Sequence, residues 1–124
     1  MKTILIIDDS GTIGGSTIEL LKCFGLRTSL ASTGSIGLDL IQKKTPELVL
    51  CASQLQGLDG YAVLRTLRLD TRLDRLPFYF MLAQSTPSDR QKGMSLGATG
   101  YLTRPLSDEE LLNCICRYFT LPIH

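Results

Sequence analysis

Two adjacent carboxylates, Asp8 and Asp9, close the short apolar run KTILII at residues 2–7. Like charges held side by side repel unless a cation screens them. Such a pair could hold magnesium, which takes oxygen ligands and keeps several waters. The pair could equally cap the following helix and stay solvated, and the dipeptide alone leaves both readings open. Few other groups in the chain could do chemistry. His124 is the single histidine, so a histidine-based catalytic or metal centre has almost nothing to build on. The four cysteines, Cys23, Cys51, Cys114 and Cys116, match neither zinc-knuckle nor Cys-x-x-Cys spacing. They are expected to be structural thiols in a reducing cytoplasm, with Cys23 and Cys51 acting as small buried hydrophobes.

The stretch LVLCASQLQGLDG at residues 48–60 places the second candidate site. Its apolar start, bounded by turn signals, reads as a strand buried on both faces in the middle of a parallel sheet. In open α/β sheets, ligands and chemistry collect just beyond the carboxyl ends of such strands. The residue at that end is Ala52, whose methyl group can neither attack a substrate nor bind a metal. Ser53 beside it is expected to point to the opposite face, since strand side chains alternate.

These positions need a scaffold, and the rest of the chain supplies one. Its 124 residues, 44% hydrophobic and 20% charged, make one globular domain spanning residues 1–124. A net charge of +1 without a basic arm argues against nucleic acid, and no apolar run reaches the length of a membrane span. The amino terminus leads straight into the first strand rather than into a signal peptide. Strands are expected at residues 2–7, 27–31, 47–51, 78–83 and 100–103. The first helix should begin around Gly11 to Ile13, carry Ile13, Thr17, Leu20, Leu21 and Phe24 on one face, and stop at Gly25. The second should be capped by Ser32 or Thr33, bury Ile36, Leu38, Leu40 and Ile41, and end at Thr45-Pro46. The third starts at Gly60 with Ala62, Val63, Leu64 and Leu67 inward, and a polar linker follows at residues 70–75. A fourth opens at Ser85-Thr86-Pro87 and ends at Gly97. The fifth opens on Ser107 and the acids at 108–110, with Leu111, Leu112, Ile115 and Phe119 on its apolar face. Strict alternation of five strands and five helices predicts a doubly wound α/β fold of the flavodoxin-like type. Its parallel sheet would run in the order 2-1-3-4-5, with helices on both faces. Asp8, Asp9 and the corner at residues 52–54 would then line one crevice.

IIDDS at 6–10, the stretch at 48–60, and DRQKGMSLGATGYLTRP at 89–105 together resemble the receiver domain of two-component response regulators, the fold of the chemotaxis regulator CheY. The resemblance spans the chain, and GATGYLTRP at 97–105 is its most specific piece. It implies an acidic pair that holds magnesium, at Asp8 and Asp9. It also implies an aspartate ending strand three that accepts a phosphoryl group from a histidine kinase. A Ser or Thr ending strand four and a Lys ending strand five would contact that group, and an aromatic on strand five would swing inward on activation.

Carried over by register, this sequence departs at three of those places. Ala52 stands at the phosphoacceptor position, Leu82 at the Ser/Thr position and Arg104, before Pro105, at the Lys position; Tyr101 keeps the aromatic. An acyl phosphate cannot form at Ala52, and Leu82 cannot donate to a phosphoryl oxygen. Arg104 keeps the charge on a larger planar fork. It is either paired with Asp8 or Asp9 or an exposed cation at a strand end. Tyr101 is either a two-position reporter or an amphipathic aromatic at a sheet edge. Asp59 is expected to cap the helix that follows it.

The function expected is that of a non-enzymatic pseudo-receiver, acting in two-component phosphorelay signalling by protein–protein interaction. Its partner would be a histidine kinase, a downstream effector or another regulator. That partner would dock on the face of helix four, strand five and helix five, around residues 91–106, with a homodimer as a further arrangement. No cofactor is required on this reading, and magnesium binds weakly at most. The rival is a phosphoryl-accepting regulator that uses Asp8 or Asp9 with magnesium. A flavin- or nucleotide-binding domain is disfavoured, because the loop at residues 8–11 is acidic where a phosphate cradle needs bare backbone amides.

Overall fold

The computed structural model describes residues 2–9, 15–82, 86–103 and 107–117. Five strands and five helices alternate: β1 (Lys2–Ile7), α1 (Gly15–Cys23), β2 (Leu26–Ala31), α2 (Gly34–Lys43), β3 (Leu48–Ala52), α3 (Gly60–Leu69), β4 (Phe78–Leu82), α4 (Pro87–Ser95), β5 (Gly100–Thr103) and α5 (Asp108–Cys116). The sheet is parallel throughout and ordered β2-β1-β3-β4-β5, as the alternation predicts. The expected start of the first helix at residues 11–13 lies outside the described residues, as do Ser85, Arg104, Pro105 and Phe119.

Strand alternation divides the core in two. Leu5 and Ile7 of β1, Val49 and Cys51 of β3, and Phe78, Phe80 and Leu82 of β4 pack with Ile41 of α2 and with Val63, Leu64 and Leu67 of α3. Ile4, Ile6, Leu48, Leu50, Tyr79 and Met81 face the other way, onto Leu21 of α1 and Leu111, Cys114 and Ile115 of α5. Each fully buried Ile or Leu contributes about 1.5–3 kcal/mol. The central strands β1, β3 and β4 are therefore apolar almost throughout, with Lys2 and Thr3 confined to the amino end of β1.

The differences from the expected elements have local causes. β3 begins at Leu48 rather than at residue 47, because Glu47 spends its carboxylate on the Thr3 N–H at 2.7 Å. β2 starts one residue early, at buried Leu26 opposite Lys2, and residue 83, the expected end of the fourth strand, lies outside the described residues. Ile36 is not a core position: it is 44% exposed. Gly34 and Gly37 are buried on α2 in its place, and a Cβ on Gly37 would lie 2.5 Å from Ile7 Cδ1. The 70–75 segment is not wholly polar, since Leu73 is buried in the core. Cys23 is exposed at the end of α1 rather than buried, while Cys51 is buried as expected. Thr33, Asp59, Thr86 and Ser107 all cap helices through their side chains. For Asp59 the bond is from the Ala62 N–H, at 2.9 Å.

Candidate functional site at the carboxyl ends of the central strands

The β1–β3 register ends at Ile7 opposite Cys51, so Asp8 and Ala52 each follow the last paired residue on neighbouring strands. Neighbouring strands lie ~4.8 Å apart. The Asp8 N–H donates to the Ala31 carbonyl at 2.9 Å, which carries the extended backbone of β1 one residue further. Alternation then puts Asp8 and Ala52 on the same face, the one that carries Ile6 and Leu50. Asp8 is half-buried and Asp9 exposed. The register thus sets Asp8 beside Ala52 at adjacent strand ends, while exposed Asp9, one residue on, alternates to the other side.

Ala52 is 4% exposed and pairs with Met81 of β4. The chain closes tightly behind it. Gly60 donates its N–H to the Ser53 carbonyl at 3.1 Å, and its α-carbon packs so closely on the Ala52 carbonyl that any Cβ there would collide with it. This close approach explains Gly60, whereas Gly57 serves the turn through its φ of 76°. The Cys51 thiol also donates to the Ala52 carbonyl, at 3.3 Å.

Leu82 is 2% exposed and belongs to the same apolar cluster as Phe80 and Phe78. It pairs with Thr103, the last residue of β5. Tyr101, opposite Phe80 on the edge strand, is 37% exposed. Arg90 of α4 donates to its hydroxyl at 3.5 Å and lies 5.6 Å from its ring centroid, so the aromatic is held out along α4. Arg104 and Pro105, with the expected pairing of Arg104 to Asp8 or Asp9, fall outside the described residues.

Tyr61 and its surroundings escaped the sequence reading. Its ring packs on Phe80, with centroids 4.8 Å apart, and Lys92 Nζ lies 4.2 Å from its ring centroid. Its hydroxyl hydrogen-bonds Ser53, which accordingly faces away from Ala52 as alternation requires. Burial pushes the phenol above its usual range and the Asp89 charge adds to this, while the Ser53 bond acts in the opposite direction. Ser53, Asp59, Tyr61, Asp89 and Lys92 line a cleft of about 610 Å³ beside the site. The available signal was Tyr61 itself, a large aromatic directly after the glycine that opens α3.

As a metal site the crevice is incomplete. It offers two carboxylates on adjacent residues, while the neighbouring strand end presents a methyl group. Among the described residues, no three His, Cys, Asp or Glu side chains gather closely enough to hold an ion. The donor set therefore fits a divalent cation only in part, and no chemical step is derived through one.

Comparison with known proteins decides the family, because residues 4–116 match the response regulator receiver domain. The chain belongs to that family. It is 31% identical over 115 residues to the protein PilH of Pseudomonas aeruginosa, covering 93% of this chain and 95% of that one. It is 36% identical over 109 residues to the response regulator MprA of a Mycobacterium species, covering 88% of this chain and 46% of that longer one. Among solved structures, a response regulator from Chloroflexus aurantiacus superposes with a TM-score of 0.87 at 29% identity, covering 94% of this chain and 96% of that one. The receiver domain of a Pseudomonas aeruginosa sensor histidine kinase, described with a magnesium ion coordinated in its active site cleft, gives a TM-score of 0.83 at 24% identity. It covers 94% of this chain and 96% of its own. That last likeness speaks to fold alone. As a receiver domain, the chain is a module of two-component signal transduction rather than a conventional enzyme. No described helix is long and apolar enough to cross a membrane.

Proposed function

We propose that this receiver domain signals through protein–protein contacts and is not phosphorylated at the end of β3. The observation that carries the reading is Ala52. It occupies the buried carboxyl end of the central strand, where the family resemblance puts a phosphoacceptor aspartate, and no acid stands beside it in the 48–56 stretch. Leu82 supports the same reading, because the position where the resemblance puts a hydroxyl donor is held by an apolar side chain buried among Phe78 and Phe80. Arg104, next after Thr103, is assigned the role of a cation neutralising Asp8 or Asp9. On this reading no cofactor is required.

The docking face assigned is that of α4, β5 and α5. Tyr101 is exposed there, Met94 of α4 is 48% exposed, and α4 rests on the sheet mainly through Gly93 against Phe80. A histidine kinase, an effector or another regulator in the cytoplasm would be the partner, with a second copy of the chain as the other arrangement.

Incubation with acetyl phosphate and magnesium, followed by intact-mass measurement, tests the proposal. The expected result is an unchanged mass. An added phosphoryl mass would overturn it, and mapping that mass to Asp8 or Asp9 would establish the rival, in which the acidic pair itself accepts phosphate.

A further inference from the structure

We infer that the outer edge of β2 is a binding site for an extended, acidic peptide segment of a partner protein, added to the sheet as a further strand. This inference does not rest on the reading of Ala52 and lies at the opposite edge from β5. β2 pairs only with β1, so the alternate N–H and C=O groups of its outer side have no strand to bond. Both faces of this edge are hollowed. On the α2 side a cavity is floored by Leu5, Leu40 and Pro46 and rimmed by Arg27, Lys43 and Lys44. On the α1 side a second is walled by Ile18 and Leu26 and rimmed by Lys22 and Arg27. The buried Thr28 hydroxyl oxygen, on the wall of that second cavity, has no hydrogen-bond partner among the described residues. Leu30, further along the strand, is 58% exposed.

Charge decides the occupant. Among the described residues, every charged one lining the two cavities is a cation, Lys22, Arg27, Lys43 and Lys44, although the chain's net charge is only +1. The four are exposed, and among the described residues none makes an ion pair. A second copy of β2 laid antiparallel on the first would bring both sets of cations to one seam, which disfavours self-pairing. An incoming strand with aliphatic side chains for the hollows and acids for the rim satisfies the backbone groups, the apolar floors and the charge together.

The test uses a fluorescein-labelled soluble peptide of alternating Val and Glu, with Thr at intervals, titrated with the chain at low salt. Saturable binding is expected, with amide perturbations and slowed hydrogen exchange at residues 26–31. The Arg27→Glu/Lys44→Glu variant should weaken it about tenfold, two reversed rim charges acting together. Arg65→Glu/Arg75→Glu, equal in charge change but remote from β2, should leave it intact, and thermal melts establish that both variants fold. Absence of binding would overturn the proposal. So would equal weakening by both variants, perturbations mapping elsewhere, dimerisation through residues 26–31, or binding to phosphatidylserine vesicles without binding to the peptide.

Discussion

Replacing Ala52 with Asp is the sharpest probe of how closely the fold has kept its acids together. The new carboxylate would stand at the end of β3, on the face shared with Asp8, with roughly 5 Å between the charges given the strand spacing. At an effective dielectric constant of about 20, two like charges at that distance repel by about 3 kcal/mol. Burial adds to the cost, since the alanine is only 4% exposed. Both effects raise the introduced carboxyl's pKa above its unfolded value of ~3.9. The folded protein then binds the proton more tightly than the unfolded chain, so the variant's penalty is small near pH ~4 and grows as pH rises. At neutral pH the melting temperature should fall by about 10 °C. Magnesium should reverse part of that loss, because a second carboxylate now faces Asp8: with a Kd near ~1 mM, ~10 mM magnesium restores about 1.4 kcal/mol. The parent chain should respond far less. Thermal melts at two pH values, with and without magnesium, read all of this. A variant as stable as the parent in metal-free neutral buffer would refute the reasoning, because the charge of Asp8 would then have to be already neutralised or remote from the end of β3. Adding Leu82→Thr supplies the missing hydroxyl, and the double variant should gain a phosphoryl mass from acetyl phosphate.

The two glycines that bracket Leu58 and Asp59 should behave differently. Gly60→Ala drives a methyl into the Ala52 carbonyl and should cost about 3 kcal/mol by urea denaturation, whereas Gly57→Ala has open space and only its positive φ to oppose it, about 1 kcal/mol. Equal losses would mean that the turn, not the packing, fixes this corner. Asp59→Ala removes the cap on α3 and should cost about 1 kcal/mol, measured the same way. With a maleimide at pH ~8, two thiols should label in the native protein, the exposed Cys23 and Cys116. Cys51 and Cys114 should wait for unfolding; burial pushes Cys114 up to about 11 against weaker opposing effects of Tyr79 and Arg117. Rapid native labelling of all four would contradict the described core.

The sheet was legible because its signal is redundant. KTILII, LVLC and FYFML are apolar on both faces, and only a central strand covered by helices on both sides accommodates that. Helix faces were less legible where packing works by removing a side chain. Apolar spacing on α2 pointed to Ile36, yet the helix meets the sheet at Ile7 through Gly37 and meets Leu58 and Val63 of the α3 corner through Gly34, each by lacking a Cβ. Glycine carries no hydropathy, so a pattern of apolar residues cannot register it. Cys23 failed for a related reason: position near a helix end says little about which way the last turn faces.

The candidate site divides along the same line. Asp8, Asp9 and Ala52 could be placed from sequence because each stands at a fixed count from the end of a buried strand, and strand register carries that count across the sheet. Tyr61 and Lys92 could not, since their meeting depends on how α3 and α4 lean over Phe80, a matter of tertiary packing. What the structure adds to Ala52 is its backbone. The carbonyl of Ala52 is the surface against which Gly60 seats α3, so the residue anchors the β3–α3 corner whatever side chain it carries. Alanine rather than an acid there leaves that corner free to keep its shape, because the contact runs through backbone atoms. Phosphoryl chemistry needs the side chain, whereas the frame needs only the carbonyl and a glycine to meet it. A receiver fold with no acid at this position can therefore keep its β3–α3 corner.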